Sequence, residues 1–224
     1  MADPTDALVS FSRHGRVGVI ALNRAAKRNA MNQPLADALE AALDMLDEDP
    51  DLWVGILTGT PTVFSAGTDI SVLGFIGTER GGEYGIIRRR RAKPLIAAVE
   101  GIAFGGGMEI VLACDLVVAS RTARFGLPEV RLGLVPTCAG LFRAPRALPL
   151  NLAREMILTG DPIDAERAYH AGLVNVLTDP GTAVEGALAL AECIAANGPL
   201  AVRSCLQAIN DYVGEDDVVG WAAT

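Results

Sequence analysis

Two glutamates and a run of glycines are the residues here best suited to chemistry. Gly105-Gly106-Gly107-Met108-Glu109 follows a buried apolar segment and opens what reads as a helix. Glycine lets a ligand approach the backbone closely, and the first N–H groups of a helix have no partner inside it. Such a place binds an oxyanion or phosphate. It also serves as a tight strand-to-helix turn whose glycines answer only to sterics. The spacing is neither Gly-x-Gly-x-x-Gly nor a Walker loop, which disfavours a dinucleotide fold and a P-loop. Glu109 abuts the apolar run Ile110-Val111-Leu112-Ala113-Cys114. A carboxylate there is either paired or functional. Burial favours its neutral form, which suits a general acid; a salt-bridged structural glutamate is the other reading. Glu129 lies in the Gly/Pro-punctuated loop Phe125-Gly126-Leu127-Pro128-Glu129-Val130, where a carboxylate is ordinarily solvated. Phe64-Ser65-Ala66-Gly67-Thr68-Asp69-Ile70 is a small-residue turn leading toward a helix, with Asp69 placed to cap it. It either exposes a second backbone N–H near Ala66 or is a plain connection.

The elements that must hold these residues alternate along the chain. Segments 17–22, 53–58, 94–99 and 116–119 read as buried strands. Leu35, Leu39, Leu43 and Leu46 recur at helical spacing after Asn32, a cap, and Pro34, a first-turn residue. A short helix over about 106–114 follows the glycines. Beyond residue 135 the pattern turns helical, with segments near 151–159, 164–171, 181–196 and 199–213 and a short strand at 173–177. This predicts an α/β core over residues 1–160 and a helical C-terminal region over 161–224.

Composition narrows the function. A 224-residue chain that is half apolar affords one sizeable core. A net charge of −8 argues against a general nucleic-acid binder, which needs a basic surface. Two histidines make a histidine-based zinc site improbable, and no metal is expected. Cys114, Cys138, Cys193 and Cys205 form no Cys-x-x-Cys pair and read as buried free thiols of a reducing compartment. Met1 to Asp6 lacks the pattern of a secretory leader, and the most apolar stretch, about 94–119, carries Glu100, Glu109 and Asp115. A soluble cytoplasmic protein is expected, with no membrane partner.

Taken together and in order, Ala66-Gly67-Thr68-Asp69, then Gly105-Gly106-Gly107-Met108-Glu109, then Phe125-Gly126-Leu127-Pro128-Glu129 resemble the crotonase (enoyl-CoA hydratase/isomerase) family. The flanks agree: Lys27-Arg28-Asn29-Ala30-Met31 is similar to its CoA-contacting loop, and residues 93–101 to the strand before its glycines. Leu132-Gly133-Leu134-Val135-Pro136, Leu158-Thr159-Gly160 and the segment from Ala165 to Val174 are similar to later landmarks. The resemblance covers about residues 8–213.

The resemblance implies a spiral of ββα units with a helical C-terminal oligomerisation region, assembled as a homotrimer or homohexamer. It implies a lyase that adds water to a trans-2-enoyl-CoA, giving 3-hydroxyacyl-CoA. The N–H groups of Ala66 and Gly106 would hold the thioester oxygen. Glu109 would activate the water, and Glu129 would protonate Cα. CoA would lie against Lys27, Arg28, Ala30, Ala66, Asp69 and Ile70, and arrives with the substrate, so no cofactor is implied. Arg88-Arg89-Arg90-Arg91 is either a source of phosphate-binding cations or a solvated helix face. Two features depart from the family. Pro136-Thr137-Cys138-Ala139-Gly140 stands where Gly-x-Gly-Gly usually follows the proline, so Thr137 adds bulk beside the catalytic water. Members also usually continue past the position of Thr224 with helices that cover the site, so an open pocket or closure by a neighbouring subunit is expected. Another acyl-CoA reaction of the family (isomerisation, hydrolysis or decarboxylation) and a catalytically weak CoA-binding subunit are the alternatives.

Overall fold

Apolar β-branched runs build the main sheet. The computed structural model describes residues 7–72 and 74–224; the acidic start at residues 1–6 and the side chains of Glu215, Asp216 and Ala223 lie outside the described residues. β1 (Val9–His14) and β2 (Val17–Leu22) form an antiparallel hairpin turned at Gly15, whose φ of 59° suits glycine. β2 then pairs in parallel with β3 (Val54–Thr58), β3 with β7 (Leu95–Val99), β7 with β9 (Leu116–Ser120), and β9 with β12 (Val176–Thr178). β3 and β7 are buried along their whole lengths, as a parallel sheet covered on both faces requires.

Each central strand is followed at once by a short strand of a second sheet. β4 (Val63–Ser65) follows β3, β8 (Ile102–Phe104) follows β7, and β10 (Arg124–Gly126) follows β9. These order as β11-β10-β8-β4, with β11 (Ile163–Asp164) at the edge, and β5 (Gly77–Thr78) and β6 (Gly82–Glu83) pair as a separate small antiparallel ribbon. Helix α2 (Gly106–Leu112) follows β8, and α3 (Gly140–Ala147) follows β10 by way of a loop. The unit strand, strand, helix therefore recurs at β7–β8–α2 and β9–β10–α3, and the short strands β4, β8 and β10 pair in parallel.

Helices cover both faces of the large sheet. α1 (Gln33–Glu48) buries Leu35, Leu39, Leu43 and Leu46 completely, and the Asn32 side chain accepts from the Leu35 N–H at 3.1 Å. Each such leucine contributes about 1.5–3 kcal/mol of transfer free energy. On the other face, α6 (Ala183–Ala195) lays Ala183, Ala187 and Ala191 on Val54, Ile56, Ile96 and Val118. The Glu100 carboxylate accepts from the Ala183 N–H at 3.0 Å and so satisfies the start of α6. α4 (Leu150–Thr159), α5 (Ala165–His170) and the 25-residue α7 (Pro199–Ala223) complete the C-terminal region. Among the described residues no helix is long and apolar enough to cross a membrane.

Three expectations change. No helix follows Asp69; its carboxylate instead accepts from the Ser71 N–H and hydroxyl in a local turn. The arginine run is not helical. Arg88 forks onto Glu83, Arg89 is buried against Asp44 and Asp47, and Arg91 is buried against Asp115. These three are structural ion pairs. The four cysteines are free, but Cys193 and Cys205 are exposed rather than buried.

Candidate active site

Glycine spacing brings two loops and a helix start into contact. Gly105 sits at φ 54°, a conformation that favours glycine, and its N–H donates to the Gly126 carbonyl at 2.9 Å. A Cβ on Gly107 would lie 2.4 Å from the Ser65 carbonyl oxygen, and one on Gly67 would lie 2.9 Å from the Gly106 nitrogen. The start of α2 can pack on residues 65–67 only because neither surface carries a side chain there. Gly106 is the first residue of α2, and its N–H has no acceptor among the described residues.

The second free amide is not that of Ala66. The Ala66 N–H donates to the Arg28 carbonyl at 2.9 Å, and an amide has one hydrogen. The Gly67 N–H is held by the Ser65 hydroxyl at 3.2 Å. Met31 N–H to the Gly67 carbonyl and Asp69 N–H to the Met31 carbonyl bracket Thr68. The Thr68 N–H itself meets no acceptor among the described residues. The expected donor was thus placed two residues too early.

Glu109 projects from α2 into the interior and is 2% exposed. Its Oε1 accepts from the Gly140 N–H, at the start of α3, at 3.0 Å. Burial pushes its carboxyl up to about 7, and the nearby Glu129 charge pushes the same way. Hydrogen bonds from Gly140 and Cys138 oppose that shift. Glu129 opens a short 3-10 turn, Glu129–Leu132, just after β10. Its Oε1 faces Gly105, 3.0 Å from where a Cβ would stand there, and its Oε2 is buried with no partner. Burial raises its pKa too. A buried carboxyl oxygen without a partner, beside a second protonatable carboxyl, is suited to gripping a water or a reacting hydroxyl.

The loop at residues 136–140 reaches this pair through Cys138 and Gly140 rather than through Thr137, the residue expected beside the catalytic water. Thr137 is exposed, whereas Cys138 bonds to Glu109. Ala139 adopts φ 78°, the left-handed region where glycine is usual. A Cβ on Gly140 would come 3.0 Å from the Glu109 carboxyl oxygen, so that glycine leaves the carboxyl its space.

Outside the acids, the structure zips the Lys27–Met31 loop against residues 66–69 through the Ala66, Met31 and Asp69 amides. Asn29 fixes the loop from within, donating to the Val63 and Phe64 carbonyls at 3.2 and 2.9 Å. Lys27, Arg28 and Ile70 are exposed on this ledge and Ala30 is half-buried. Asp69 is buried and paired with Arg24 at 2.7 Å. Ser71 and Arg24 hold its carboxyl down at about 2. Arg24 gave no sequence signal, because its partner lies 45 residues away.

The chain is similar to known proteins of one family along most of its length. The family model for enoyl-CoA hydratase/isomerase matches residues 12–219. The short-chain-enoyl-CoA hydratase of Clostridium acetobutylicum is 36% identical over 210 residues, covering 90% of this chain and 80% of the relative. The crystal structure of an enoyl-CoA hydratase from Mycobacterium tuberculosis H37Rv superposes with a TM-score of 0.90 at 45% identity, covering 93% of this chain and 84% of that one. A carnitinyl-CoA hydratase from Mycobacterium avium superposes with a TM-score of 0.87 at 39% identity, covering 92% and 81%.

Proposed function

The chain belongs to the enoyl-CoA hydratase/isomerase family, and on that premise we propose that it hydrates a trans-2-enoyl-CoA to a 3-hydroxyacyl-CoA. The observation that carries this reading is a pair of carboxyls beside the free amide of Gly106: buried Glu109, and half-buried Glu129 with one oxygen buried and unpartnered. A reaction with a single proton transfer needs one acid or base. Adding water across a double bond needs a base at the attacking oxygen and an acid at the neighbouring carbon.

The thioester oxygen accepts hydrogen bonds from the Gly106 and Thr68 N–H groups. One water is held between Glu109, as carboxylate, and Glu129, as carboxylic acid. Glu109 takes a proton from the water while its oxygen bonds to Cβ. The π electrons move to Cα and the carbonyl, and the enolate oxygen carries the negative charge. Backbone donors fixed at a helix start stabilise that charge where it develops. Glu129 then gives its proton to Cα. Transfer of the new proton from Glu109 to Glu129 resets the pair. Such acid–base assistance typically contributes about 10²–10⁴ in rate.

CoA lies along the ledge formed by Lys27, Arg28, Ala30 and Ile70, with its phosphates toward the exposed cations. Asp69 acts there by holding Arg24 and the turn, since its carboxylate is already paired. Ala66 shapes the same turn through its bond to Arg28. The reading requires no cofactor beyond the CoA of the substrate. The assembly is a homotrimer or homohexamer, supported by the apolar surface of α7. Thr137-Cys138-Ala139 favours a second reading, another acyl-CoA reaction of the family, because Ala139 and Cys138 retune the wall beside Glu109.

The test is a panel of enoyl-CoA thioesters from crotonyl-CoA upward. Loss of the conjugated-thioester absorbance, with a product heavier by one water, is the expected result. Products of unchanged mass or of lower mass would move the assignment to isomerisation or to cleavage.

A further inference from the structure

Tyr84 is the one buried phenol in the neighbourhood of the two free amides, and the reaction scheme above gives it no task. Its ring and hydroxyl lie directly on Gly106: a Cβ there would meet Oη at 2.7 Å and ring carbons at 2.8 Å. The same Oη lies 2.6 Å from Thr68 Oγ1. One side chain therefore touches both residues whose N–H groups are free.

We propose that Tyr84 is a positioning residue for the amide pair, its ring fixing Gly106 and its hydroxyl tethering Thr68 so that both N–H groups stay aimed at one thioester oxygen. The inference rests on reading Gly106 and Thr68 as the donors. At Thr68 the tether acts through the side chain. Thr68 is exposed, and it follows Gly67, whose φ of 92° marks a permissive joint. Backbone bonds already hold the Gly67 carbonyl, which shares a peptide unit with the Thr68 N–H, and the Asp69 N–H, both to Met31; the Tyr84 hydroxyl adds a hold on the Thr68 side chain. Donors contribute most when they need no reorganisation as charge develops.

Tyr84 is itself held firmly. It adopts φ 56°, which costs a bulky residue energy and persists only where the surroundings enforce it. Its N–H donates to the Ile76 carbonyl at 3.1 Å. The neighbouring segment is tied to α1: the Gly81 N–H donates to the Glu40 carboxylate at 2.6 Å, and Arg89 pairs with Asp44 and Asp47. On its other side Arg88 grips Glu83. Burial raises the Tyr84 pKa, so its hydroxyl keeps its hydrogen throughout the working range. It bonds to Cys138 as well, which places the tether within the same network as Glu109.

The experiment compares wild type, Tyr84→Phe, Thr68→Val and Thr68→Ser in the full chain, with folding checked by thermal melting. Two readouts are taken: hydration of crotonyl-CoA, and the red shift of bound cinnamoyl-CoA, whose conjugated carbonyl reports polarisation by the donors. Tyr84→Phe is expected to lower kcat by about tenfold or more while KM stays within about twofold, because the donors act on the transition state. It should also lose much of the red shift. Thr68→Val should do the same, the double variant should be no worse than either alone, and Thr68→Ser should restore both readouts. If Tyr84→Phe does not fold, the Thr68 variants decide the matter by the same criteria. Wild-type kcat and full red shift in Tyr84→Phe or Thr68→Val would overturn the tether while leaving the amide pair standing. No red shift in wild type would instead overturn the amide pair, and the tether with it.

Discussion

At Glu109, burial and a neighbouring negative charge act in the same direction, and the folded state prefers the protonated carboxyl. The consequence for stability has a definite sign. The pKa rises from an ordinary 4.5 to about 7 on folding. Between those values the folded chain keeps a proton that the unfolded chain has lost, so stability falls as pH rises through that window and levels off above it. The span corresponds to about 3 kcal/mol. Glu109→Gln keeps an acceptor for the Gly140 N–H and removes the charge. Chemical denaturation should show a flatter pH profile for this variant and greater stability than wild type above neutrality. Activity carries the opposite sign: a base must be ionised, so kcat/KM should rise with pH through about 7 on its acid limb. The sequence made Glu109 and Glu129 legible because their type, spacing and apolar flanks are local facts. It misplaced the second donor at Ala66 because whether an amide is free depends on a partner elsewhere, here the Arg28 carbonyl.

Among the elements, the long strands and helices could be read from periodicity, and β2, β3, β7, β9 and α1 lie where the pattern puts them. β4, β8, β10 and β11 were not legible, since two or three residues carry no period. α3 was hidden by Pro145 and by arginines whose acidic partner, Asp217, lies in α7. The Arg88–Arg91 run looked helical because nothing local reveals Asp44, Asp47 or Asp115 as partners. Two predictions belong at this scale. Gly107→Ala would drive a methyl group to 2.4 Å from the Ser65 carbonyl, where backbone meets backbone. It should destabilise the protein by about 1–3 kcal/mol and lower activity in the remaining folded fraction, as α2 moves off residues 65–67. Asn29→Ala would leave the Val63 and Phe64 carbonyls buried without their donor. A loss of about 1–3 kcal/mol in urea denaturation is expected, with KM for the CoA thioester raised more than kcat is lowered.

For the whole molecule, α7 links the C-terminal region to the site. Asp217 pairs with Arg143 and Arg146 of α3, the helix whose first N–H holds Glu109. Trp221 stacks edge-on against Phe142 and lies under Arg88, 3.6 Å from the ring centre. Elsewhere α7 exposes Leu200, Ile209, Tyr212, Val218 and Val219. In the trimer or hexamer proposed above this apolar surface would be covered by a second copy, and light scattering should then report three or six copies per particle. Tyr212→Glu together with Val219→Glu should shift the mass toward the single chain. The spiral itself emerged from family likeness rather than from periodicity, because stacking of short strands at the second sheet is a property of the assembled turns.

In the proposed mechanism Glu109 and Glu129 work as a unit on one water. Steady-state hydration of crotonyl-CoA by Glu109→Gln, Glu129→Gln and the double variant tests it most directly. Each single variant should lose about 10²–10⁴ in kcat, and the double variant should be little slower than the worse single one, as groups acting in one step are not additive. A single variant that keeps near wild-type turnover, or losses that multiply in the double variant, would rule out a water shared by the two carboxyls.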